Sequence, residues 1–250
     1  MGKFSPKEMV MTLAEIRALF ESRSGRSDLV KESGADDGAD FFIQSGQRML
    51  DRMVGMTQSF ARSFKTLEIG DYYAIFKGCR AVKEVWISNS DGRTELVKVS
   101  LSNMRTVYYD DAPDEITSGD PVNYCLISLR TYPDADNVII DYLYDHLLED
   151  DATEDYEYNG IIISPPPDEA SQLEVFGLFY SPPLSSDSDT SYWTVNHPEI
   201  LLMAALYHLE VSYRNTEGAN DWLGAIGIQL AEIEKDWVEG DIVGVTQIEG

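Results

Sequence analysis

The side chains able to do chemistry are few and far apart. The histidines are His146, His197 and His208, and no two share a metal-ligand spacing; Cys79 and Cys125 form no CxxC pair. His146 stands near Asp141, Asp145 and Glu149, a donor set that suits a hard cation. The run lacks a glycine at the offset a calcium loop needs for its turn. Cys79 sits beside Arg80 with Lys77 and Lys83 close in sequence, and cations lower a thiol's pKa. No base accompanies it, so Cys79 is read as a strand residue. His208 lies in an apolar helical run and is expected to pack with its ring satisfied. There is no phosphate-cradling glycine loop, no nucleophile elbow and no zincin pair. Among 44 acidic residues, a carboxylate pair for glycoside hydrolysis carries no information. These residues point away from an enzyme and imply neither a cofactor nor a metal.

The 250 residues carry 44 acidic and 19 basic side chains, a formal charge of −25. A surface of that sign repels phosphate backbones and anionic headgroups, which excludes nucleic-acid binding by attraction and docking on an acidic membrane. The longest apolar run, Ile200 to Tyr207, is too short to span a bilayer. Met1 to Phe20 carries Lys3, Lys7, Glu8 and Glu15 and has no signal-peptide core. Two cysteines make no disulfide framework, which favours a reducing compartment. With 43% hydrophobic residues, the length allows one large domain or two smaller ones. The charge is uneven. Residues 1–65 hold ten basic and nine acidic side chains, whereas 106–213 hold only Arg130 against twenty-two acids, densest from Asp145 to Glu157. That run reads as a solvated loop or edge.

The elements around these residues follow from periodicity. Ser5-Pro6-Lys7-Glu8 has capping-box spacing, and Met9, Leu13, Ile16 and Phe20 then recur on one face, with Gly25 at the expected stop. Asp40 is expected to cap a longer helix whose stripe is Phe42, Met49, Met53, Met56, Phe60 and Phe64, with Gly46 on the same face; Arg48, Arg52 and Arg62 fall outside it. From Leu67 to Pro183 the period becomes two. Strands are expected over Tyr72–Phe76, Val82–Ser88, Glu95–Leu101, Val122–Leu129, Val138–Leu143, Ile161–Ser164 and Leu173–Tyr180, with a hairpin turn at Asn89 to Gly92. The tyrosines at 72, 73, 108, 109 and 124 suit half-buried sheet faces. Asn196-His197-Pro198-Glu199 opens a helix apolar on most sides, and Asn220 or Asp221 starts a last one carrying Trp222, Ile226, Leu230, Ile233 and Trp237.

The expected fold is α+β: a four-helix bundle-like domain, two helices N-terminal and two C-terminal, interrupted by an antiparallel β domain. Residues 1–66 form the first helical part, 67–184 the inserted β domain with its acidic loop at 134–158, and 185–239 the second helical part. Residues 240–250 form an extended tail. There Ile242, Val243, Val245 and Ile248 alternate with polar residues and nothing covers them, a pattern suited to ordering on a partner.

Several ordered motifs resemble one family. They are Ser24-Gly25-Arg26-Ser27-Asp28-Leu29 and the pair Phe41-Phe42, then the turn Ser164-Pro-Pro-Pro-Asp168 after an apolar strand. The strand from Leu173 to Tyr180, Tyr192-Trp193, the helix start His197-Pro198-Glu199 and Trp222 in the last helix complete the set. Together they resemble tailed-phage head-to-tail adaptor proteins. The resemblance implies a structural virion protein at the neck, assembled in the host cytoplasm as a ring, usually of twelve subunits. Such a ring binds the portal protein above and tail or nozzle proteins below. DNA passes through it without specific binding, and no membrane is involved. The portal interface is then expected at Trp237, Ile242, Val243, Val245 and Ile248. The acidic stretch from Asp134 to Tyr158 is longer than the family's usual linker. An alternative class, an acidic DNA mimic that inhibits a nucleic-acid enzyme, would carry acid over its whole surface, unlike the near-neutral first quarter.

Overall fold

A computed structural model describes residues 10–53, 59–108, 117–129 and 158–243. The chain divides into two units, Met1–Ser59 with Tyr180–Gly250, and Phe60–Phe179. The divisions therefore fall at 59/60 and 179/180 instead of 66/67 and 184/185.

In the helical unit, α1 (Leu13–Ser24) begins at Thr12. Its hydroxyl accepts from the Glu15 N–H, and the Glu15 carboxylate accepts from the Thr12 N–H at 2.8 Å. Residues 10–12 are not helical, so the start expected at Ser5 gives way to this second capping box; Ser5 itself lies outside the described residues. Gly25 closes α1 in the left-handed region, φ 68°. The next helix, α2 (Ala39–Met53), is capped by Asp36, whose carboxylate accepts from the Gly38 and Asp40 N–H groups at 3.0 and 2.9 Å, and not by Asp40. α2 is described to Met53, and from Phe60 the chain is a strand. The helical stripe expected to reach Phe64 thus ends early. Residues four apart share a face in both helix and strand, so Phe60 and Phe64 fitted either period. Met56 lies outside the described residues.

After the β unit come α4 (Tyr192–Asn196), α5 (Pro198–Ser212) and α6 (Thr216–Val243). Asn196 closes α4 instead of capping α5; His197 stands at that cap, its ring turned to the Tyr192 hydroxyl at 3.3 Å instead of capping the helix, and Pro198 opens the first turn. α6 starts at Thr216, ahead of the expected Asn220 or Asp221, because Asn215 accepts from the Gly218 N–H at 3.3 Å. It continues through Gly240 to Val243, so the first residues of the expected extended tail are helical. Leu13, Ile16 and Phe20 of α1, Ile43 and Leu50 of α2, Leu201, Ala204 and Ala205 of α5, and Ile226 and Leu230 of α6 share one buried core. α2 and α5 meet backbone to backbone: a Cβ on Gly46 would stand 2.8 Å from the Ala205 nitrogen.

The β unit has two four-stranded sheets. One has the order β1 (Phe60–Leu67), β8 (Ser171–Phe179), β3 (Cys79–Asn89), β4 (Gly92–Glu95); the other has β2 (Tyr73–Phe76), β7 (Tyr158–Ser164), β6 (Asn123–Leu129), β5 (Val97–Lys98). Pairing is antiparallel except between β5 and β6. Leu67, Val85, Ile87, Ile161, Ile163, Leu173 and Val175 form a core drawn from both sheets. The single strand expected over Glu95–Leu101 is divided. β4 ends in the first sheet, β5 joins the second, and Leu101–Tyr108 is a helix, α3, begun by a Ser100 hydroxyl that accepts from the Asn103 N–H. Tyr108 is accordingly helical rather than on a sheet. Met104 of α3 packs with Cys125, Ile127 and Ile162, covering the second sheet's far face. Burial on both faces explains the unbroken Ile161-Ile162-Ile163 run, each residue fully buried. Tyr109, the strand expected over Val138–Leu143, and His146 lie outside the described residues, as does the acidic loop apart from Tyr158, which begins β7.

Candidate interaction surfaces

Two polar clusters fix the helical unit and thereby its outer surfaces. The first is built on Arg17, which takes the place of an apolar residue on the α1 stripe of Leu13, Ile16 and Phe20 and is 2% exposed. Its guanidinium donates from Nε and Nη2 to both Asp40 oxygens, each at 2.8 Å, and from Nη1 to Asp187 Oδ1 at 2.8 Å and the Gly34 carbonyl at 2.9 Å. The hydrogen bond to Asp40 raises the Arg17 pKa above its ordinary value, against the lowering effect of burial. One side chain thus ties together α1, the loop before α2, α2 itself and the linker before α4. The linker also serves α1 directly: the Asp189 and Asp187 carbonyls accept from the N–H groups of Leu13 and Ala14, which have no partner within the helix. Backbone N–H groups of Ser186 and Ser185 donate to the Asp189 carboxylate and lower its pKa.

The second cluster straps the proline-bearing segment onto α2. The buried Asp51 carboxylate accepts from the Ser181 N–H, the Ser181 hydroxyl and the Trp193 indole N–H, each at 2.8 Å. One and two turns earlier, Gln47 and Gln44 donate to the carbonyls of Pro182 and Leu184 at 2.8 and 3.1 Å. Pro182 and Pro183 have no N–H of their own, so the segment is held through its carbonyls. Neither cluster has a local sequence signal beyond one: Arg17 and Gln47 are polar residues at apolar positions of their helices. His208 differs from expectation. Its Nε2 is buried without a hydrogen-bond partner, and burial lowers its pKa. Cys79 and Cys125 are also buried, and desolvation pushes both thiols up to about 11, opposite to the effect expected of Arg80. Among the described residues, no three His, Cys, Asp or Glu side chains converge as a metal site.

What these clusters hold in place is a set of uncovered apolar positions. On α2, Phe41 is 70% exposed and shares the outer face with Arg48 and Arg52, which lie 5.4 and 5.7 Å from the Tyr180 ring. On α6, Ile228 is 64% exposed, opposite the buried Ile226, Leu230 and Ile233. In the β unit, the outer face of the first sheet carries Phe60 stacked on Phe176 at 5.0 Å, Phe64, and Trp86 under Arg93 at 4.4 Å. Glu174, almost fully buried at the centre of that face, pairs with Arg93 at 2.7 Å and Arg62 at 3.3 Å. Of the residues expected at a portal interface, Trp237, Ile242 and Val243 fall within α6, and Val245 and Ile248 lie outside the described residues.

The family model of the SU10 adaptor protein matches residues 11–243, through both units. The chain belongs to the SU10 adaptor family. This is a family of phage head-to-tail adaptors. No curated protein matches the sequence. The family is a structural one. No helix among the described residues of this adaptor is long and apolar enough to cross a membrane.

Proposed function

We propose that this adaptor forms a ring in the phage neck, binding the portal on one side and tail components on the other, with DNA passing through it. The observation that carries this reading is the family match over 11–243, which includes both helical segments and the β unit between them. The charge supports it. A wall poor in Lys and Arg gives DNA no counterion-release attraction, so the genome can pass without adhering. Helices that pack in a bundle-like body suit the ring, because a rigid unit can present two different faces to two neighbours. The segment from Trp237 to Ile248, with Ile242, Val243 and Val245, is the portal-docking element. Its described part, up to Val243, lies on α6.

Co-expression with the portal protein of the same phage tests the reading. The expected result is a portal–adaptor complex that shows an added ring in negative-stain images and a whole number of 28.1 kDa subunits by native mass spectrometry. Deleting residues 244–250, which keeps every described residue of α6, is expected to abolish co-purification. An adaptor that never associates with the portal would refute the function, and unchanged binding after the deletion would refute the docking element.

A further inference from the structure

Ring closure by a chain of charge −25 needs a contact in which like copies do not repel. The helical unit offers two faces of opposite sign. Along α2 the outward residues are Phe41, Arg48 and Arg52, all exposed; along α6 they are Glu217, Asp221, Gly224, Ile228 and Ala231, also exposed. The spacings agree as well as the signs. From Phe41 the cations follow after seven and then four residues; from Ile228 backwards the acids also follow after seven and then four. Two helices laid antiparallel with Phe41 opposite Ile228 therefore bring Arg48 opposite Asp221 and Arg52 opposite Glu217, since both rise 1.5 Å per residue.

The apolar end fits by shape. Gly224, Gly227, Ile228 and Ala231 stand at positions i, i+3, i+4 and i+7, the four corners of a hole that receives one knob from a facing helix. A Cβ on Gly224 or Gly227 would meet nothing within 4 Å, so no contact inside the chain uses these mid-helix glycines. Phe41, 70% exposed, is a knob of matching character. Gly46, on the opposite side of α2, is already packed against α5, which leaves the Phe41 face for an outside partner.

We propose that the contact between neighbouring copies sets the Phe41–Arg48–Arg52 face of α2 antiparallel against the Glu217–Asp221–Ile228 face of the next copy's α6. The contact joins two different surfaces, so it propagates head to tail, as a ring of identical copies requires. It rests on the ring reading above and names which surfaces of the two copies meet.

Charge reversal tests it with full chains. One variant carries Arg48→Glu and Arg52→Glu, a second Glu217→Arg and Asp221→Arg. Each alone faces like charge at every contact and should need about tenfold or more higher concentration to assemble. Mixed one to one they restore opposite charge at every contact, and the mixture should assemble like the wild type, in alternating order. All four positions are exposed, and circular dichroism of each variant verifies its fold. As a second measurement, a chain with Phe41→Cys and Ile228→Cys should give an oxidised ladder of covalent oligomers, because the native cysteines are buried. Either charge variant assembling unaided like the wild type, a mixture that fails to assemble, or a wild-type ring that gives no ladder, would overturn the contact while leaving the ring intact. Absence of any wild-type ring even on co-expression with the portal would overturn the function itself.

Discussion

Replacing Arg17 by Met probes the polar clamp that holds the helical unit. Methionine keeps an unbranched apolar stem in place of the first part of the side chain and removes the guanidinium. Three links are lost: the paired bonds to Asp40, the bond to Asp187 and the bond to the Gly34 carbonyl. They are unequal. The Arg17 and Asp40 side chains are 3% and 16% exposed, so removing the cation leaves a carboxylate largely cut off from water, a loss of about 3–5 kcal/mol in comparable buried pairs. Asp187 is 67% exposed, and its share is at most about 1 kcal/mol. The expected total for Arg17→Met is therefore about 3–6 kcal/mol, against less than about 1 kcal/mol for Asp187→Asn. Arg17→Lys should fall between, keeping the charge but losing the fork that fits both Asp40 oxygens. Urea unfolding followed by tryptophan fluorescence reads this unit through Trp193, which is 1% exposed and bonded to Asp51. A loss below about 1 kcal/mol for Arg17→Met, or equal losses for Arg17→Met and Asp187→Asn, would refute the account.

Glycine-to-alanine changes should go in opposite directions on two helices. Gly46→Ala forces α2 and α5 apart and should cost about 1–2 kcal/mol after the helix-propensity gain, whereas Gly224→Ala, facing open space, should stabilise by up to about 1 kcal/mol; thermal melts of both compare the signs. The thiols predict an alkaline limit. Folded-state pKa values of about 11 exceed the ordinary thiol value, so their contribution is intact below pH 9 and lost as pH rises toward 11, about 2–3 kcal/mol for each cysteine. Denaturation curves from pH 8 to 11 should show that slope in the wild type and a shallower one in a Cys79→Ala, Cys125→Ala double variant.

Features set by neighbouring residues were legible in the sequence. Gly25 terminates α1, the Asn89 to Gly92 turn joins β3 to β4, and Leu13, Ile16 and Phe20 of α1 and Ile226, Leu230 and Ile233 of α6 are buried as their spacing required. Errors arose where one pattern served two structures. Phe60 and Phe64 fit a helix or a strand, and only pairing with β8, more than a hundred residues away, selects the strand. Capping is ambiguous where several polar residues lie together: Asp36 accepts from the Gly38 and Asp40 N–H groups, while Asp40 lies inside the first turn with its carboxylate on Arg17. The clamp and the strap link residues 170 and 130 positions apart, distances over which sequence spacing carries no information. The candidate interfaces became visible only when burial separated the outward side of each helix from its core side.

The way the chain leaves and rejoins the helical unit has a mechanical consequence. Phe60 pairs with Leu178, so both crossings occur within one hydrogen-bonded pair of strands. A force passed along the chain therefore enters the β unit at neighbouring residues of β1 and β8. The same arrangement makes the β unit exchangeable. Its ends lie about one strand spacing, roughly 5 Å, apart, so a different insert with neighbouring termini could be spliced into an unchanged helical body.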